Sequence, residues 1–117
     1  SPNNLGIHAQ SASLSLLEEV GIKTVAANIE QRVMLILEHI HRRGYKLLSP
    51  SVASRRAGIV TFRMAGVDHE RLFLRLLEHK LLSACRMEGL RFSPHFYTPL
   101  ERIDAAFELI DELLKTR

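Results

Sequence analysis

The chain of 117 residues has no tryptophan and a single cysteine, and these absences narrow the field before any motif is read. One thiol, Cys85, excludes an internal disulfide framework and fits a reducing compartment, so a cytoplasmic protein is expected. No apolar run approaches the roughly 20 residues of a membrane helix, and no membrane partner is expected. The opening Ser1-Pro2-Asn3-Asn4 carries neither Met nor a basic-then-apolar leader and reads as the start of a fragment or a processed chain. The six histidines form no metal set. His39 and His41 are two apart on a helix and diverge, and His69 and His79 mark the two ends of another. With Cys85 the only thiol there is no zinc pattern, and no Gly-rich phosphate loop or Ser-His-Asp signature appears. Charge is not strongly of one sign: 16 basic against 13 acidic residues are scattered, and the net +3 says little about partners.

What is present is an ordinary globular composition, 46% hydrophobic and 25% charged, in a length that supports one domain over 1–117 with one modest core. Residues 5–20 read as a helix apolar on two sides, a bridging segment between this core and another surface. Residues 22–43 give the clearest helix, with Ile22, Val25, Ala26, Ile29, Val33, Ile36, Leu37 and Ile40 at helical spacing, Arg42 and Arg43 near its end and Gly44 as its cap. Tyr45–Leu48 reads as a short strand, 49–56 as a loop through Pro50, and Gly58–Met64 as a strand with Val60, Phe62 and Met64 on one face and Thr61 and Arg63 on the other. Asp68 caps a helix over 69–80. Residues 82–87 and 90–93 read as strands joined tightly at Glu88-Gly89. Thr98, Pro99 and Glu101 read as a capping box opening a last helix whose stripe is Ile103, Phe107, Ile110 and Leu114. Residues 21–117 thus form an α+β core: a small, mainly antiparallel sheet of about four strands covered by helices, with long N-terminal helices.

The segment Gly89-Leu90-Arg91-Phe92-Ser93-Pro94-His95-Phe96-Tyr97-Thr98-Pro99-Leu100-Glu101-Arg102-Ile103-Asp104 is the most informative. Strand alternation puts Leu90 and Phe92 on one face and Arg91 and Ser93 on the other. A guanidinium held on a strand suits a bidentate carboxylate, though a surface arginine with a local ion pair has the same sequence. Arg63, Arg86 and Arg91 share a parity, a basic face that suggests an anion. Phe62 and Phe92 have the opposite parity, which argues against stacking of nucleic-acid bases. Cys85 lies within a strand and reads as a buried, inert thiol. His95 either lines a site at the corner or bonds the turn.

This segment resembles the end of the class V aminotransferases, fold-type-I pyridoxal-phosphate enzymes that include cysteine desulfurases, kynureninases and isopenicillin-epimerase-like proteins. The likeness extends to Ser1-Pro2-Asn3 and to Leu16-Leu17-Glu18-Glu19-Val20-Gly21-Ile22. It implies the small C-terminal domain of a larger enzyme. Arg91 would then bind the α-carboxylate of an amino-acid substrate, and Ser1 would reach the cofactor phosphate in a homodimer. The Schiff-base lysine is expected in a large domain, because Lys23, Lys46, Lys80 and Lys115 lack the family's local pattern. Alone, the chain is expected to bind no pyridoxal phosphate and to be inactive. The competing expectation is a non-catalytic module that binds a protein or a nucleic acid.

Overall fold

The computed structural model describes residues 7–78, 84–86 and 89–115, with side chains from Glu18 onward and outside 84–86. Helix α1 runs unbroken over Ile7–Arg43. The two helices expected on either side of Gly21 are therefore one, because a single glycine costs a helix interior only about 1 kcal/mol and no proline accompanies it. The end of α1 is as expected. Gly44 takes φ 72°, Tyr45 N–H donates to the Ile40 carbonyl at 3.1 Å and Gly44 N–H to that of His41 at 3.2 Å, the paired bonds of a Schellman cap.

Strand β1 (Lys46–Leu47) follows. The stretch expected as a loop is a helix, α2 (Ser51–Ala57), entered through Pro50 and ending at Gly58. Proline is compatible with a helix start, so it marks where α2 begins and not a loop. Then come β2 (Val60–Arg63), α3 (His69–Glu78), β3 (Ala84–Arg86), β4 (Gly89–Phe92) and α4 (Leu100–Lys115). Asp68 caps α3 as expected, its Oδ1 accepting from Arg71 N–H at 3.1 Å. The Thr98 box does not form as read: the Thr98 hydroxyl turns back to accept from His95 N–H at 2.9 Å, a local bond that competes with helix capping.

The fold is α+β. The four strands are ordered β1-β2-β4-β3, each neighbour pair antiparallel, and the outer β1 contributes only two residues. Helices α1, α3 and α4 cover one face. Val60, Phe62, Leu90 and Phe92 from the sheet meet Val33, Ile36 and Ile40 of α1, Leu72 and Leu76 of α3, and Ile103, Phe107 and Ile110 of α4. Phe107 is the centre, packed on Phe62 at 5.7 Å and Phe92 at 5.6 Å between ring centroids. The apolar stripe of α1 continues past this core: Ile22 is 68% exposed and Val20 55%. A helix of 37 residues is about 55 Å long, close to the 62 Å long axis of the molecule. Among the described residues no helix is long and apolar enough to cross a membrane.

Candidate functional site

Strand β4 begins at a position that excludes a side chain. A Cβ on Gly89 would lie 2.5 Å from the Phe62 carbonyl oxygen and 3.0 Å from a Leu48 methyl carbon. Glycine lets β4 pass this close to β2. Two residues on, Arg91 pairs in register with Thr61 of β2 on one side and Ala84 of β3 on the other. Its neighbours Leu90 and Phe92 enter the core, so alternation turns Arg91 to the opposite face of the sheet. There it is half-buried, and its Nε is sealed from solvent with no hydrogen-bond partner among the described residues. Buried donors are nearly always paired, because an unpaired one costs about 1–3 kcal/mol. A guanidinium nitrogen in the middle of a sheet with no acceptor among the described residues suits an anionic acceptor, and a carboxylate is one whose geometry matches the fork.

The floor beside Arg91 is polar and tightly bonded. Thr61 N–H donates to Ser49 Oγ at 3.1 Å, and Ser49 and Ser54 share a hydroxyl contact of 2.8 Å. The corner after Arg91 is equally fixed. Thr98 N–H donates to the His95 carbonyl at 3.1 Å, and Arg32 of α1 donates from Nε to the Thr98 carbonyl at 2.6 Å. His95 is exposed and stacks on Tyr97 at 5.1 Å. It is its backbone N–H that closes the turn.

The structure brings some of the expected residues together and separates others. Arg63 shares the face of Arg91, since Thr61 is the register partner of Arg91 and Arg63 is two residues further along β2. Phe62 and Phe92 are buried on the opposite face, which leaves this one without the aromatic platform that single-stranded nucleic acid needs. Cys85 pairs through its backbone with Leu90; its side chain, that of Arg86, and Ser1, Lys80, His79, Met87 and Glu88 lie outside the described residues. Lys23, Lys46 and Lys115 are exposed. His39 is buried and His41 exposed, as their divergence required. Among the described residues no group of three or more His, Cys, Asp and Glu side chains could hold a metal ion.

One cluster had no part in the sequence reading. His39 meets Asp104 at 2.6 Å. Arg43 reaches His39 Nδ1 at 2.8 Å and grips Asp111 with two bonds of 2.9 and 2.8 Å. An arginine N–H can only donate, so Nδ1 accepts and the ring proton sits on Nε2 towards Asp104. Arg43 holds the Asp111 carboxyl below its usual range, and Asp111 in turn raises Arg43. The spacing i, i+4 on α1 and i, i+7 on α4 places each pair on one helix face, which is the signal in the sequence. The cluster clamps α1 to α4.

With the sheet, the covering helices and the outward arginine in place, the architecture can be set beside solved structures. The chain has the fold of part of a cysteine desulfurase. It superposes on the enzyme from Thermococcus onnurineus NA1 with a TM-score of 0.73 at 19% identity, over 91% of this chain and 30% of that one. It also matches 8-amino-7-oxononanoate synthase from Francisella tularensis with a TM-score of 0.63 at 23% identity, over 77% of this chain and 27% of that one. The chain thus spans less than a third of either protein. No protein-family model and no curated protein matches the sequence. The resemblance to class V aminotransferases, which include cysteine desulfurases, holds at the level of the fold.

Proposed function

We propose that this desulfurase-like chain is the small domain of a pyridoxal-phosphate-dependent enzyme of the class V aminotransferase type, and that Arg91 binds the α-carboxylate of its amino-acid substrate. The observation that carries this reading is the sealed Nε of Arg91, without a partner among the described residues, on the sheet face turned away from the core. The fold supports it, since in both matched proteins it makes up less than a third of the chain.

The described residues do not fit the covalent cofactor site. Such a site holds its lysine in a dry pocket with a lowered pKa, and Lys23, Lys46 and Lys115 all stand in solvent. In this reading the cofactor belongs to the large domain of the full-length enzyme, with Ser1 reaching its phosphate, and the chain alone is inactive. A homodimer and a cytoplasmic location belong to the same reading. The contribution of this domain is orientation. Two parallel N–H···O bonds fix the plane of a carboxylate as well as its position, and orientation of that kind supplies a large share of a rate enhancement.

The test uses the full-length enzyme. The common L-amino acids are screened by their effect on the absorbance of the bound cofactor, and the best one is carried into kinetics. Arg91→Ala is expected to lower kcat/KM by about 10- to 100-fold, the worth of a charge-assisted pair, with Arg91→Lys in between. The melting temperature is expected to hold, since the side chain points off the core. Unchanged kcat/KM in a well-folded Arg91→Ala enzyme would overturn the reading.

A further inference from the structure

Arg32 lies in the C-terminal half of α1, and its guanidinium ties that helix to the turn at Thr98, which follows β4 and precedes α4. Nε donates to the Thr98 carbonyl at 2.6 Å and Nη1 to the Asn28 carbonyl at 3.1 Å. Its other contacts, Asn28 Oδ1 at 3.4 Å and Gln31 Oε1 at 3.5 Å, are also neutral oxygens. A half-buried cation that meets only neutral acceptors among the described residues carries a desolvation cost that an apolar side chain at the same place would not. Packing alone therefore does not account for an arginine here. What arginine adds is a planar donor to the carbonyl of Thr98, a residue only 7% exposed.

That carbonyl is the far anchor of the corner that follows Arg91. The last ladder pair of β4 is Phe92 with Val60, one residue past Arg91. Beyond it the chain is tied by the two bonds between His95 and Thr98 and by Arg32. Between strand and turn stand only Ser93 and Pro94, and proline fixes its own φ. The corner is thus a short stiff link with one end at the substrate arginine and the other on α1.

We propose that Arg32 is a positioning residue for Arg91, holding the C-terminal end of β4 by its bond to the Thr98 carbonyl; this rests on the carboxylate reading above. Phe92 holds the strand from the core side, and Arg32 holds the direction in which the chain leaves it. Without that tie the last pair of β4 frays, and the Arg91 fork spends less time in the plane of the carboxylate.

The experiment is a double-mutant cycle in the full-length enzyme, with the amino acid selected in the screen above. Arg32→Met keeps an apolar stem and removes every donor, and Arg32→Lys returns one donor. Arg32→Met is expected to raise KM by about 3- to 10-fold, the value of one hydrogen bond, with kcat within about 2-fold. Arg32→Lys is expected to recover part of the loss. In the Arg91→Ala background, Arg32→Met is expected to add nothing. An unchanged KM in folded Arg32→Met overturns the proposal, and so does an equal rise in the Arg91→Ala background. If Arg32→Met is too unstable to assay, the cycle runs with Arg32→Lys: coupling to Arg91 supports the proposal and additivity overturns it. A null effect of Arg91→Ala alone removes the carboxylate reading and this proposal together. A normal Arg91→Ala loss with inert Arg32 variants removes only this one.

Discussion

His69 is buried and Arg91 half-buried, and they differ in their partners: His69 has one on the Met64 backbone, and Arg91 Nε has none among the described residues. His69 Nε2 accepts from Met64 N–H at 2.9 Å inside the protein. Burial pushes its pKa below the ordinary 6.5, with Arg63 adding to the effect and the Val67 backbone and Asp68 opposing it. Protonation would also put a second donor against the Met64 N–H. For a histidine lowered on folding, the unfolded chain takes up the proton first as pH falls. Its stabilisation is therefore complete above about pH 6.5 and is lost as pH drops from there towards the folded value. Chemical denaturation at a series of pH values is expected to show this loss, and His69→Gln is expected to flatten that part of the curve. An unchanged slope in the variant would contradict it. The acceptor for Met64 was not legible beforehand, because the sequence shows a histidine one residue after a helix cap and does not show which backbone N–H it meets.

Elements were legible where local chemistry decides them. Asp68 opens α3 and Gly44 closes α1 through bonds within a few residues, and both were readable. The register of β2 against β4 depends on a contact between distant segments. There Gly89 permits an approach that any Cβ would block, the Phe62 carbonyl oxygen being 2.5 Å away. Because that obstacle is backbone, Gly89→Ala is expected to push β4 from β2 and to cost about 1–3 kcal/mol, measurable as a lower denaturation midpoint. On the proposed carboxylate role of Arg91, the same variant of the full-length enzyme is expected to weaken substrate binding, since Arg91 rides on that strand. An Ala variant of wild-type stability would show that the sheet yields more easily than this geometry allows. Between helices, the grip of Arg43 on Asp111 adds little energy, the Asp111 side chain being 41% exposed, and serves more to set the register of α4 along α1.

On the scale of the whole molecule, the long helix is the unfinished part. Val20 at 55%, Ile22 at 68% and Met34 at 48% exposure leave apolar surface on α1 with no cover among the described residues. Surface of this kind favours association. The isolated chain is expected to self-associate at high concentration in light scattering or sedimentation, and Val20→Lys with Ile22→Lys is expected to return it to a monomer. A clean monomer without the substitutions would count against this.

The sequence by itself determined the α+β class, the inward stripes of α4 and of α1 from Val33 to Ile40, the two faces of β2 and β4, and the outward direction of Arg91. All of these follow from periodicity and from single caps, which act within a turn or a strand. It did not determine the continuity of α1 through Gly21, the helix after Pro50, or the turn of the Thr98 hydroxyl away from its helix, because in each case two local conformations lie within about 1 kcal/mol and packing chooses. Tertiary structure alone decided that Arg91 Nε is sealed with no partner among the described residues, that Arg32 meets Thr98, and that His39 and Arg43 meet Asp104 and Asp111. The physical reason is the same throughout. Periodicity fixes which way a side chain faces, but what it meets there depends on segments more than 60 residues away in sequence, whose approach is set by the shared core around Phe107.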